Sequence, residues 1–409
     1  MHVVSEQHLS RVLGNLRAEQ PRIVASGNAA APATLLTAVD AAIPAYRLFM
    51  LNAPAGLLLR DGVIPETPFV GPGMRGHPLL AYTPCRLSLV PRLITTRLVP
   101  DVVVLNTTVP RDGVVSLGIE VNILPAAIEA AHDRGALVVA QLNRSMPYTY
   151  GDGQVPVADI DYAVEVDEPL RATTARPSDE THREIGARVA SLVGEAATLQ
   201  AGIGAVPDAT LAALSGRTRL RVWTEMLSDG VMHLERAGAL DGDHPLRTSF
   251  AAGSPELYDW IDRNRRLVFS RTEKVNDPAR IARQPAMTSI NTALQVDLFG
   301  QANASYVRDQ IHSGFGGQTD FIVGALHATD GNAVVALASW HPKADVSTIV
   351  PALRAPATSF QQSYVVTEQG TAPLWGSSQH EQARALIEQA AHPDARDDLR
   401  RAAAEAHLL

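Results

Sequence analysis

Short apolar runs alternate along this chain with stretches whose apolar residues recur at helical spacing, a pattern of strands exchanging with helices. The best-formed instance is Leu199 to Gly230. It predicts a strand from Leu199 to Ala201, a loop of Gly202, Ile203, Gly204, Ala205 and Val206, a helix opened by Pro207, and a second strand from Leu220 to Trp223 that ends at Glu225. Proline suits a first helical turn because the N–H it lacks would have no intrahelical partner there. A strand–helix–strand of this length is a right-handed unit with parallel strands. The loop and Glu225 then leave their strands at the same edge, where open α/β sheets bind ligands. A Gly-x-Gly with an acid about twenty residues on also imitates a dinucleotide fingerprint, but Pro207 holds the third glycine position and weakens that match.

The same pattern occurs once earlier, at an offset of 175 residues: Gly27 falls opposite Gly202, Ala30 opposite Ala205, Pro32 opposite Pro207 and Leu36 opposite Leu211. A strand over Arg22–Ser26, a helix from Pro32 through Val39 and a strand over Arg47–Leu51 complete it. Two related α/β halves are expected. Met50 stands where the second half has Glu225, so carboxylate chemistry is expected in the second half.

Elsewhere the periodicity predicts buried parallel strands over Pro100–Leu105, Ala136–Leu142 and Asn332–Ser339, and a helix from Leu124 to Asp133 stopped by Gly135. Ile185, Val189, Leu192 and Val193 share one helix face. Residues 55–100 read as irregular with short helices, and 290–307 as an antiparallel hairpin around Gly300 and Gln301. Ser313 to Phe321 is a second glycine-rich loop leading into a helix, and the last forty residues read as helical. A linker is expected near 172–180, giving domains of residues 1–175 and 176–409.

Composition narrows the function classes. At 409 residues the chain exceeds one ordinary core, and 46% apolar with 19% charged residues describes a soluble globular protein. The net charge of −8, with no basic patch, argues against nucleic acid and anionic membrane as partners. The single cysteine, Cys85, fits a reducing compartment, hence the cytoplasm, and reads as a buried apolar residue. The thirteen histidines, among them His77, His182, His233, His312 and His341, show no ligand spacing, so no metal is expected. No signal peptide or membrane-spanning segment is expected either.

Three segments, QAGIGAVPDATL…VWTEMLSDG, SINTALQVDLFGQANA and SGFGGQTDFIVGA, together resemble the acetyl-CoA hydrolase/transferase family. DVVVLNTTVPRDGVVSLGIEVN, YVVTEQGTAPLWG and AAHPDARDDL extend the resemblance in family order. It implies two structurally related open α/β domains with the active site in the cleft between them, and a ping-pong transfer of coenzyme A between an acyl-CoA and a carboxylic acid. On it Glu225, in Thr224-Glu225-Met226, is the nucleophile, and the main-chain N–H groups of Ile203 and of Gly316 or Gly317 are oxyanion donors. It places Gly202, Ile203, Gly204, Ala205, Val206, Asn291, Gly314, Gly317, Gln318, Asp320 and Lys343 on coenzyme A, and Gly27 and Asn28 on the acyl side. Small acyl-CoA and carboxylate substrates are the implied partners, with a homodimer as the candidate assembly. Leu374-Trp375-Gly376 and Ser347-Thr348-Ile349 depart from the family pattern by two arginines, which bears on the acid used. An acyl-CoA hydrolase using the same glutamate, a non-catalytic acyl-CoA-binding protein and a nicotinamide oxidoreductase remain alternatives.

Overall fold

The computed structural model describes residues 1–57, 59–173, 178–308, 310–354, 357 and 361–409. Part of the expected linker, 174–177, therefore lies outside the described residues. The chain divides into two compact units. The first comprises Met1–Thr173, Arg247–Val275 and His312–Gly316; the second comprises Thr174–Leu246, Asn276–Ile311 and Gly317–Leu409. The chain thus leaves the first unit near the expected position but returns to it twice, which one cut at residue 175 does not describe.

The first unit is built on eight parallel strands. They are β1 (His2–Val3), β2 (Arg22–Ala25), β3 (Tyr46–Phe49), β4 (Val63–Thr67), β5 (Ala81–Tyr82), β6 (Val102–Thr107), β7 (Leu137–Asn143) and β8 (Tyr162–Val166). Their order across the sheet is β1-β8-β7-β6-β2-β3-β4-β5. Every residue of β6 is buried, as its unbroken apolar run requires. Helices α1 (Ala33–Ala42) and α2 (Leu124–His132) follow β2 and β6.

The second unit has a six-stranded sheet of β9 (Thr198–Ala201), β10 (Arg221–Val222), β11 (Thr288–Thr292), β12 (Asn332–Ala336), β13 (Tyr364–Val366) and β14 (Thr371–Pro373). The order is β10-β9-β11-β12-β13-β14, parallel throughout except for the β13–β14 pair. Helix α3 (Glu180–Ser191) lays Ile185 and Val189 against Ile290, Val334 and Val366, all fully buried. Helix α4 (Ala205–Ala213) bridges β9 and β10, and α5 (Gln318–His327) precedes β12.

The expected repeat is realised in topology. β2–α1–β3 and β9–α4–β10 are the same strand–loop–helix–strand unit, and in each sheet a later parallel strand (β6, after β4 and β5 have extended the β3 edge, or β11) lies on the other side of the first strand. The gap between β2 and β6, and between β9 and β11, is where strand order reverses and where such sheets bind ligands.

Four expectations need correction. Residues 55–100 are not merely irregular, since they supply β4 and β5. Pro65 and Glu66 disguise β4; Glu66 is buried only because Arg22 Nε and Arg47 Nη1 meet its two oxygens at 2.7 and 2.8 Å. The hairpin around Gly300 is confined to Gln295–Asp297 and Ala302–Asn303, while residues 288–292 form the central parallel strand β11. Thr288, Ser289 and Asn291 gave that strand a half-exposed look, yet all are buried. The helix after the glycine loop starts at Ala205, with Pro207 in its first turn and not at its head. Cys85, expected as buried, is half-buried.

Candidate active site

Glu225 is the third residue after β10 and is half-buried. Thr224, just before it, is held by its hydroxyl, which bonds the carbonyl oxygens of Ala201 and Met226, both at 3.1 Å, and ties this turn to the end of β9. One carboxylate oxygen of Glu225 accepts a hydrogen bond of 2.6 Å from Asn276 Nδ2. Asn276 is fully buried, and among the described residues its Oδ1 has no hydrogen-bond partner. Gly317, the residue that caps α5, closes the other side: a Cβ built there would lie 1.6 Å from Glu225 Oε2 and 2.3 Å from Asn276 Nδ2. Its φ of −92° is open to any residue, so glycine is required here for room and not for backbone conformation. The carboxylate therefore rests against the N-terminus of a ten-residue helix, where partial positive charge favours an anion.

The glycine loop leaves β9 in the same unit. Gly204 has φ 126° and ψ 171°, a region that excludes side chains, and it turns the chain into α4. Ile203 is 53% exposed, unusual for so large an aliphatic residue. Val206 packs in the core beside Ile185 and Val334, which leaves its backbone, in the helix's first turn, as the part a ligand can meet. Asn291, near the end of β11, donates to Gln200 Oε1 on β9 at 3.2 Å and to Ser289 Oγ at 3.0 Å, a polar bridge across the reversal point. Asp320 is fully buried in α5, and the half-buried Gln318 leaves its Nε2 without a partner. Lys343 is exposed on the short hairpin of Trp340–His341 and Val346–Ser347. Gly314 and Gly316 belong to the first unit: Gly314 pairs with Phe69, and Gly316 accepts a hydrogen bond from the Leu87 N–H.

In the first unit, Gly27 and Asn28 leave β2 and are both buried. A Cβ on Gly27 would meet the Leu51 carbonyl oxygen at 2.1 Å, so the loop and β3's exit touch backbone to backbone. Asn28 Nδ2 lies 2.9 and 3.0 Å from the two oxygens of Glu120, which follows β6. Asn122 Nδ2 donates to the same carboxylate at 2.7 Å, as does the Gly27 N–H. Burial pushes the Glu120 carboxyl up to about 7 against the opposing pull of these donors.

Sequence reasoning thus reached Glu225, Gly317 and Asn28 but neither Asn276 nor Glu120. Asn276 sits in Val-Asn-Asp-Pro, which signals only a turn. Glu120 left a clue, a lone charge inside the apolar run Leu117–Val121. Among the described residues, no helix is long and apolar enough to cross a membrane, and no group of three His, Cys, Asp or Glu side chains is arranged to hold a metal ion.

Two family models match the chain: the acetyl-CoA hydrolase/transferase N-terminal domain over residues 73–173 and the C-terminal domain over residues 253–403. A 4-hydroxybutyrate coenzyme A transferase from Clostridium kluyveri is 39% identical over 78% of this chain and 76% of its own length. The structure is similar to RipA from Yersinia pestis, with a TM-score of 0.92, 28% identity and coverage of 100% of this chain and 98% of that one. It is also similar to a 4-hydroxybutyrate CoA-transferase from Porphyromonas gingivalis, with a TM-score of 0.81, 30% identity and coverage of 99% and 98%. On these matches, the chain belongs to the acetyl-CoA hydrolase/transferase family.

Proposed function

We propose that this protein is a CoA-transferase that moves coenzyme A between an acyl-CoA and a carboxylic acid through Glu225. The observation that carries the reading is the placement of that carboxylate between Asn276 Nδ2 and the side-chain-free Cα of Gly317 at the head of α5.

In the first half-reaction a Glu225 oxygen attacks the thioester carbonyl carbon. The C–S bond breaks, coenzyme A leaves as the thiolate, and the acyl group stays on Glu225 as a mixed anhydride. The thiolate then attacks the glutamyl carbonyl, the acid departs as its carboxylate, and a glutamyl-CoA thioester remains. An incoming carboxylate runs the same steps backward. A carboxylate nucleophile suits this chemistry because enzyme and substrate carbonyls are equivalent, so neither half-reaction is steeply uphill. Each tetrahedral intermediate calls for donors to its oxyanion, worth about 3 to 4 kcal/mol for a well-placed one. The N–H groups of Ile203 and of Gly316 or Gly317 are assigned that role. Asn276 holds the nucleophile in place. Coenzyme A is assigned to the 202–206 loop, Asn291, Gly314, Gln318, Asp320 and Lys343, and the acyl group to Gly27 and Asn28. The cytoplasm and a homodimer belong to the same proposal, the latter to be read by light scattering.

The test is to trap the carrier. Wild-type protein mixed with acyl-CoA alone should yield a Glu225 thioester, which borohydride reduces to an alcohol and hydroxylamine converts to a hydroxamate. Peptide mapping should place either product between Val222 and Asp229, and Glu225→Ala should yield neither product and no transfer. Modification elsewhere, or full exchange by the alanine variant, refutes the assignment. Hydrolysis without any carboxylate-dependent exchange would move the protein to the hydrolase side of its family.

A further inference from the structure

Strands β6 and β7 end side by side at Thr107 and Asn143. The chain beyond each end, together with residues 258–263, encloses a cavity of about 410 Å³. That volume falls in the range of small-molecule sites. Every lining residue belongs to the first unit, and none is among those assigned to coenzyme A or to the acyl group.

The wall is fixed by hydrogen bonds. Asn143 is 1% exposed and uses both ends of its amide. Its Oδ1 accepts from the N–H groups of Ser145 and Glu168, both at 3.1 Å, and its Nδ2 donates to the Glu168 carbonyl oxygen at 2.9 Å. The turn after the helix Pro255–Ile261 is fastened to Tyr148 twice. The Tyr148 N–H donates to Asp262 Oδ1 and the Arg263 N–H to the Tyr148 carbonyl oxygen, both at 2.8 Å. Arg263 holds φ 54°, a left-handed conformation that a non-glycine residue keeps where its surroundings enforce it.

Three arginines, Arg111, Arg144 and Arg263, line the cavity from three separate segments of a chain whose net charge is −8. Arg144 meets Glu165 at 3.8 Å and Arg111 meets Asp112 at 3.9 Å, both too far for a hydrogen bond. Arg271, elsewhere in the unit, shows the contrast of a guanidinium in full structural use. It holds Glu129 with two bonds of 2.6 and 2.8 Å and Glu273 with a third at 2.7 Å. An arginine fork that is not so engaged matches phosphate oxygens two at a time. The rest of the lining suits an organic body more than a bare anion. Tyr148 and Tyr258 stand in the wall with Val109, which is 40% exposed. Asp262 is taken up by Tyr148 and by Arg263 Nε, 2.7 Å from its Oδ2. Asp259 is exposed in the same lining, and its carboxylate repels phosphate but receives the N–H of a base.

We infer that this cavity is a nucleotide site of the first unit, with the phosphates on Arg111 and Arg144, the base against Tyr148 and a base N–H on Asp259. It goes beyond the transfer reading and does not depend on it, because nothing in it calls on Glu225.

The experiment is calorimetric titration of the full chain with ADP, GDP and pyrophosphate, each with and without saturating coenzyme A. Wild type is compared with Arg111→Ala, Arg144→Ala and Asp259→Ala, all changes at exposed side chains, with the fold checked by circular dichroism. At least one nucleotide should bind at one equivalent with coenzyme A present. Each arginine variant should weaken it about tenfold, the effect of losing a hydrogen bond to a charged group. Asp259→Ala should weaken the nucleotide but not pyrophosphate. Absence of nucleotide binding overturns the inference, and so does displacement by coenzyme A, which would make the ligand a lodger in the coenzyme's own site. Unchanged affinity in both arginine variants would place the nucleotide elsewhere, and pyrophosphate binding as tight as the nucleotides would reduce the cavity to an anion patch; either result also overturns it. Every readout is binding and none is turnover, so failure here is distinct from failure of the transferase reading.

Discussion

The two reversal points share a topology and treat a carboxylate in opposite ways. In the first unit the loop after β2 is sealed: Gly27 leaves no room for a Cβ, Asn28 is buried, and Glu120 is closed in by donors. In the second the loop after β9 is open: a Cβ on Gly202 would meet nothing within 4 Å, and Ile203 stands 53% exposed. Its carboxylate, Glu225, is half-buried against a glycine and one amide. The same strand–loop–helix–strand unit can therefore enclose a carboxylate as a hydrogen-bond anchor or leave one half-buried beside an open loop. What differs is the packing of the loop, not the order of the strands.

The largest test of that difference is Gly317→Ala. Its Cβ would fall 1.6 Å from Glu225 Oε2, so the carboxylate must move by an ångström or more. A displacement of about 1 Å costs on the order of a hundredfold in rate, and we expect kcat to drop by that amount with the fold intact by circular dichroism. Asn276→Ala comes next. It removes a 2.6 Å hydrogen bond to the carboxylate, and a bond to a charged group is worth about 1.5 to 3 kcal/mol, or roughly ten- to a hundredfold in kcat/KM. A variant of normal rate would leave Asn276 as a packing residue.

Ile203→Gly addresses the open loop. A glutamyl thioester survives only if water is kept from it, and the exposed isoleucine is the candidate shield. Hydrolysis of acyl-CoA relative to transfer should rise several-fold, read as free thiol released without acceptor. If hydrolysis does not rise, shielding lies elsewhere.

The sealed carboxylate is tested through stability and not through rate. Burial raises the Glu120 pKa from 4.5 to about 7, so between those values the native state holds a proton that the unfolded chain has released. Stability contributed by this group therefore falls as pH rises through that window and is level above about 7. Urea unfolding of wild type at pH 5 and pH 8 should show this loss, and Glu120→Gln should lack it, by on the order of a few kcal/mol. Parallel pH profiles in the two proteins would mean that Glu120 stays ionised throughout.

Much of this comparison was legible in the sequence because it rests on local pattern. Gly202, Gly204 and Pro207 announce a strand-to-helix turn, and the match of Gly27 and Pro32 announces its repeat. Strands β6, β7 and β12 declared themselves by apolar runs that both faces of a sheet can absorb. Strand β11 did not, because Thr288, Ser289 and Asn291 look solvent-facing until Gln200 is known to lie beside them. The same holds for β4, where Glu66 is made apolar in effect by Arg22 and Arg47, distant in sequence. Asn276 and Glu120 were missed for one reason. Their meaning comes from a partner 51 or 92 residues away, Glu225 or Asn28, and no spacing rule encodes it.

The return of the chain to the first unit has a consequence for how the molecule is made. Residues 247–275 and 312–316 belong to that unit, so it is incomplete on the ribosome until more than three-quarters of the chain has been synthesised. Loop residues that receive those segments, such as Val121 and Asn122 (from Ser249) and Val70 (from Ser313), gain these backbone partners only after the start of the second unit has emerged. A gene cut at codon 175 would therefore yield neither half in finished form. Asn276 and Gly317, which both lie against Glu225, are each the first residue after such a return. The carboxylate's surroundings are therefore complete only once synthesis has passed residue 317.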